Sequence, residues 1–297
     1  MKYDRLRVLL LMAPLFVMSC GHTSEKRYDQ IYSLQAIQKS DQIIKDRMEA
    51  TPVVWTDGSL LLITSRRLGS AGSTIEIWKD GVIVSSRPSE LGLISAVVDS
   101  GRLVVFGTTD WSRPGNEIRS LSTSDLTTWS APMTVLRAGP AQTIFNSSIA
   151  SDSTGFIMAY EVCEPNTECF SARFAHSTDL MNWQAVGTIL LPDRYLGCPT
   201  IRFLGGYYYV FYLGDLGHHA TLVARSTDLV SWQHSSKAVL SSLDRTDEGA
   251  NNSDMDFVEE SGEIKIIYAF GSQTTGWADL RWATYPGTFA QFVNEFF

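Results

Sequence analysis

The chain has 297 residues, of which 44% are hydrophobic, 11% aromatic and 19% charged. That apolar share supports a sizeable core and excludes wholesale disorder, and the length fits one large β-architecture. Lys+Arg 24 against Asp+Glu 32 leave a net charge of −8, which argues against a nucleic-acid partner, because phosphate backbones are gripped by clustered cations; no apolar run of about 20 residues follows position 19, which excludes a multispanning membrane protein.

The first residues read as an address. Lys2, Arg5 and Arg7 precede an apolar run from Val8 to Val17 that contains Pro14, too short and wrongly flanked for a membrane span, so residues 1–19 are expected to be a signal peptide. The run ends in Val17-Met18-Ser19-Cys20, which resembles the lipobox of bacterial lipoproteins. That resemblance implies lipidation of Cys20, a membrane partner through the anchor and, with Gly21 after the Cys, a home in the bacterial cell envelope at the outer membrane. The alternative is an ordinary signal peptide with a coincidental Cys. Residues 20–50 then form a tether and helix: 21–27 are polar, and Ile31, Leu34, Ile37, Ile44 and Met48 follow a loose three-to-four spacing that predicts a short N-terminal amphipathic helix or helical linker over 28–49.

From residue 51 to 297 the texture is all-β. Short β-branched and aromatic runs (Leu60–Ile63, Leu103–Phe106, Gly155–Tyr160, Tyr207–Tyr212 and Ile264–Phe270) are punctuated by Gly, Ser and Asp, the pattern of many short antiparallel strands. Ser124-Asp125-Leu126-x-x-Trp129 recurs as Ser177-x-Asp179-Leu180-x-x-Trp183 and Ser226-x-Asp228-Leu229-x-x-Trp232, with Asp-to-Asp spacings of 54 and 49. Ile75–Asp80 and Leu280–Tyr285 flank these as degenerate copies. Units of this size, each with several strands, predict a five-bladed β-propeller. The repeated Asp residues are expected to be turn formers that satisfy backbone N–H groups, with Leu and Trp filling the wedges between blades. Cys163 and Cys169, six apart, are placed for a local bridge in an exported protein, which leaves Cys198 unpaired and expected in the interior. No Cys-x-x-Cys or His-x-x-x-His spacing accompanies them, so neither a metal nor another cofactor is expected, and the protein is read as a monomer.

The Ser-x-Asp-Leu-x-x-Trp corner resembles that of the five-bladed propeller glycosidases, the group of arabinanases, β-xylosidases and invertase-like enzymes, over residues 52–297. The closing stretches Asn252–Asp256, Tyr268–Gln273 and Ala283–Tyr285 are similar to the final blade of glycosidase-like members. The resemblance implies a carbohydrate substrate or ligand and carboxylate chemistry. Members usually place an Asp at the opening inner strand of the first blade; here Thr51–Asp57 offers only Asp57, which precedes Gly58 and reads as a turn. The usual three-carboxylate set is therefore not expected in its usual blades.

In a propeller the start of each inner strand and the end of the next strand meet at one face. Those places hold Arg66 and Arg67 in the first blade, Asp110 and Arg113 in the second, and Asn146, Glu161 and Glu164 in the third; Asp215, His218 and His219 follow in the fourth, and Asn252, Asp254, Asp256 and Gln273 in the fifth. Glycoside hydrolysis needs one carboxyl to protonate the leaving oxygen and another to activate water or attack. Glu161, ending an aromatic strand where burial raises a carboxyl pKa, is the expected general acid, Asp254 the base or nucleophile and Asp215 the modulator. Arg66, Arg67, Asp110, Asn146, Arg173, His218, Asn252, Asp256 and Gln273 are the expected substrate-binding residues. Competing readings are an ion pair of Glu161 with Arg173, backbone capping by Asp254 and Asp256, a surface glycan-binding lipoprotein with Trp111, Tyr195, Tyr207 and Trp277 as stacking platforms, and an interaction scaffold.

Overall fold

The computed structural model describes residues 31–68, 72–109, 115–272 and 277–297. The expected signal peptide, Cys20, Asp110, Trp111, Arg113, Gln273 and the side chain of Trp277 lie outside the described residues.

Five antiparallel sheets follow one another. The first holds β2 (Ala50–Val54), β3 (Leu60–Arg67), β4 (Ser73–Lys79) and β5 (Val82–Ser89). The second holds β6 (Gly92–Asp99), β7 (Arg102–Thr108), β8 (Glu117–Thr123) and β9 (Met133–Arg137). The third holds β10 (Thr143–Ser151), β11 (Phe156–Cys163), β12 (Ser171–Ser177) and β13 (Gln184–Leu190). The fourth holds β14 (Gly197–Leu204), β15 (Tyr207–Asp215), β16 (His219–Ser226) and β17 (Gln233–His234), with β18 (Leu240–Ser241) also paired to β16. The fifth holds β19 (Asn251–Glu260), β20 (Glu263–Ser272) and β21 (Trp277–Tyr285). The inner strands β2, β6, β10, β14 and β19 pack neighbour to neighbour, and β19 returns to β2. This is the expected five-bladed propeller.

The expected helix over 28–49 is not formed in its described part. Gln38–Ile44 is strand β1, paired with β21 as the outermost strand of the fifth blade. The propeller domain therefore reaches back beyond residue 51. Tertiary pairing overrides the weak helical spacing here, because β21 would otherwise leave an open edge and the ring would have no clasp. The clasp is ionic: Lys39 Nζ meets Glu248 at 2.7 Å and Asp244 at 2.9 Å and donates to Asn252 Oδ1 at 2.8 Å. Arg281, fully buried, approaches Glu248 at 3.3 Å and Asp247 at 2.9 Å. Tyr268 completes the cluster, donating to Glu248 at 2.5 Å.

The repeated corners do what their sequence implies. Asp179 Oδ1 accepts the N–H groups of Met181 and Asn182, each at 2.8 Å, and Asp125 and Asp228 cap the equivalent turns. Leu126, Leu180 and Leu229 adopt left-handed backbone at φ 63°, 63° and 59°, which turns each side chain into the wedge toward the preceding blade. There Trp183 meets Phe106 edge-on and Trp232 stacks on Phe174. The wedge between blades four and five is filled instead by helix α1 (Phe289–Asn294), capped by Thr288, whose Phe292 stacks on Phe211. No helix among the described residues is long and apolar enough to cross a membrane.

Candidate active site

Four inner strands break ladder register near their starts, between Gly92 and Ser95, Ile144 and Ser147, Gly197 and Thr200, and Ser253 and Asp256. Such bulges re-aim side chains, and three of them carry a left-handed residue: Leu93, Cys198 and Asp254, at φ 50°, 50° and 51°. Thr51 from the unbulged first blade, and Ser95, Ser147, Thr200 and Asp256, each beside its own blade's bulge, border an axial cavity of about 30 Å³, enough for a water molecule. This polar collar is tied together internally. Thr200 Oγ1 donates to Met255 O at 2.6 Å, Asp256 accepts the Phe257 N–H at 2.7 Å, and the Asp256 carboxylate pairs with Arg202.

Three carboxyl groups gather around the collar. Glu161 lies in β11 opposite the bulge of β10, since Ile144 faces Val162 and Ser147 faces Tyr160. It is only 3% exposed, and its Oε2 accepts the Asn146 side-chain amide and the Cys198 backbone N–H, both at 2.9 Å. Neither partner is a cation. Burial therefore dominates and, with the nearby Asp254 charge, pushes the Glu161 carboxyl up to about 7. Asp254, half-buried in the bulge of β19, accepts the Ser253 hydroxyl at 2.5 Å and the Cys198 thiol. Burial raises it, while those donors and the Arg67 guanidinium favour its charged form. The third is Glu49, one residue ahead of β2 and 3% exposed. Its Oε2 accepts the Ser65 hydroxyl at 3.0 Å, and Oε1 is buried without a hydrogen-bond partner among the described residues. Burial, then the Asp254 charge, raises Glu49 to about 8 against the pull of Arg67. Cys198 stands between the other groups, its thiol held well above the usual range by burial and by the neighbouring carboxylates, so it acts as a neutral donor.

The arrangement thus brings Glu161, Asp254, Asn146, Asp256 and the field of Arg67 to one axial mouth. Asp254 and Asp256 both border the cavity, but through the bulge rather than by simple strand alternation. Other expected site residues sit elsewhere. Asp215 is exposed at the β15–β16 hairpin, where it accepts the Gly217 N–H at 2.9 Å, a turn former rather than a modulator. Arg173 pairs with Glu164 at 2.5 Å, not with Glu161, because adjacent residues of β11 point to opposite sides. Asn252 is absorbed by the ring clasp, donating to Glu248 at 3.0 Å. His218 reaches Ile31 O at 3.4 Å, and Arg66 is exposed at the end of β3. Cys198, expected in the interior, is half-buried and lines the cavity, and Cys163 is bonded to Cys169. No group of side chains among the described residues is arranged to hold a metal ion.

Glu49 is the residue that sequence reading missed. It stands directly before the opening inner strand of the first blade, the place to which the resemblance points and two positions ahead of Thr51. The signal was present as an acidic residue directly before the apolar Ala50–Val54 strand, but the helical reading of 28–49 absorbed it.

The five-bladed propeller is a fold shared with solved glycoside hydrolases. A glycoside hydrolase structure superposes with a TM-score of 0.62 at 14% identity, over 84% of this chain and 93% of that one. A family-43 α-L-arabinofuranosidase from Clostridium thermocellum gives 0.56 at 15% identity, over 76% and 82%. A xylan β-1,4-xylosidase from Bacillus halodurans gives 0.60 at 15% identity, over 82% and 53%. At such identities the likeness is one of fold. No family model matches the sequence, and no curated protein matches it.

Proposed function

We propose that this chain is an exported, lipid-anchored glycoside hydrolase that cleaves a glycan or oligosaccharide at the axial mouth by carboxylate acid–base chemistry. The observation that carries the reading is Glu161: a buried carboxyl with neutral partners only, raised to about 7, linked through Cys198 to an aspartate from another blade. Glu161 gives its proton to the leaving glycosidic oxygen. Asp254, the most exposed of the three carboxyls, takes a proton from water or attacks the anomeric carbon. The Asp254 charge helps to keep Glu49 protonated, while Arg67 favours the charged form of both carboxyls. Turnover declines as pH rises through about 7, where Glu161 loses its proton. Export and anchoring rest on the residue 1–20 pattern, and the Cys163–Cys169 bridge is in keeping with an oxidising compartment.

The test is turnover of a panel of oligosaccharides, arabinose- and xylose-based chains first, by the form beginning after Cys20. Separate Glu161→Gln, Asp254→Asn and Glu49→Gln variants accompany it. Loss in the first two with retained sugar binding supports the assignment. Turnover that survives Asp254→Asn but not Glu49→Gln moves the base to blade one. Binding with no turnover in the unaltered chain would leave a glycan-binding protein.

A further inference from the structure

Four aromatic rings stand in a row at the mouth, outside every hydrophobic core cluster and each half-buried. Phe145 lies in the bulge of β10, adjacent to the Asn146 that holds Glu161. Its ring centroid is 5.0 Å from that of Phe170, which is 5.7 Å from Tyr195, which in turn is 6.1 Å from His219 at the head of β16. The row therefore starts beside the general acid and runs outward across blades three and four.

Its backbone is fastened. Phe170 follows Cys169, which is bonded to Cys163 at the end of β11, and adopts φ 66°. The Leu196 N–H donates to Phe170 O at 2.6 Å and the Glu168 N–H to Pro192 O at 2.7 Å. These bonds tie the β11–β12 loop to the loop that carries Tyr195. Fixed, part-exposed aromatic rings lose little entropy on binding, and their faces suit the C–H faces of sugar rings.

We propose that this row lines the leaving-group side, Phe145 beside the first departing sugar and Phe170 and Tyr195 beside the units beyond it, and that it makes the protein select oligosaccharides over disaccharides. The inference rests on the acid role of Glu161 given above. A general acid stands beside the glycosidic oxygen, so the departing part of the substrate must extend past it, and past Glu161 lies this aromatic ledge. Consecutive rings are tilted by 50°, 69° and 56°, so they pack on one another and form a part-exposed aromatic surface longer than a single ring.

The experiment measures kcat and KM on length series of xylo-, arabino-, galacto-, gluco- and manno-oligosaccharides for the unaltered chain and for Phe170→Ala, Tyr195→Ala and Tyr195→Phe. Either alanine variant should raise KM for the longer chains about tenfold, leave kcat and the disaccharide KM within about twofold, and keep the melting temperature. Tyr195→Phe, which keeps the ring, should retain the dependence of KM on chain length. An equal loss at every length, or no loss at any, overturns the ledge while the hydrolase reading stands. Length-dependent binding without turnover, weakened by the alanine variants, keeps the ledge as a glycan contact and removes its leaving-group role. A chain that neither cleaves nor binds any member of the series overturns both.

Discussion

Glu161 at the axial mouth and Glu248 beneath the ring closure are both withdrawn from solvent, at 3% and 0% exposure, yet their company differs. Glu248 is met by Lys39 and Arg281 and accepts the Tyr268 hydroxyl, so its charge is balanced and its work is to hold β1 on β21. Glu161 has an amide and a backbone N–H, which orient it without neutralising it. The same side chain at the same depth is a clasp in one place and a proton store in the other. The partner decides, because an interior carboxylate without a cation is far costlier than its protonated form.

That contrast can be broken from either side. The largest effect expected is on turnover: Glu161→Gln should lower kcat about 10²–10⁴-fold with the fold intact, read by steady-state kinetics beside a melting curve. Replacing Lys39 by Met should do the reverse. It leaves Glu248 buried without its nearest cation and should cost about 3–5 kcal/mol, measured by urea unfolding, with the carboxyls of the mouth untouched in a folded fraction.

The next effect is one of pH. The folded pKa of Glu161, about 7, lies above the ordinary 4.5, so between those values the folded state holds a proton that the unfolded state has lost. Its contribution to stability is complete below about 4.5 and is lost as pH rises through about 7, some ~3 kcal/mol in all. Unfolding free energy measured from pH 4 upward should therefore decline for the unaltered chain. Glu161→Gln should flatten that decline, leaving the slope of the same sign that Glu49 adds up to about 8. A decline unchanged by Glu161→Gln would contradict the raised carboxyl. The smallest effect is reserved for Asp215→Ala: a solvent-facing hairpin carboxylate should leave turnover within about twofold and stability within about 0.5 kcal/mol.

The repeated corners were legible because their function is local. Asp125, Asp179 and Asp228 cap N–H groups two and three residues on, so the motif carries its own explanation, and five units follow from its spacing. Glu161 and Asp254 were legible for a related reason: each sits at a strand end whose position the repeat fixes. Asp215 satisfied the same positional rule and turned outward, since strand ends also make hairpins, and a turn N–H was nearer than the axis. Lys39 was hidden because Gln38–Ile44 has weak spacing of its own and becomes strand only when β21 offers an unpaired edge; Glu49 was hidden at the end of the same weakly spaced stretch, one residue ahead of β2.

By itself the sequence determined the number of blades, the wedge-filling corners and the carboxyls that strand ends present, all of which are encoded within a turn or a single strand. Only the tertiary structure decided which strand closes the ring, which bulges turn Asp254 and Cys198 to the axis, and which buried carboxylates receive a cation. Those outcomes depend on residues more than two hundred positions apart, such as Lys39 and Glu248 with a separation of 209. No local pattern records such a meeting.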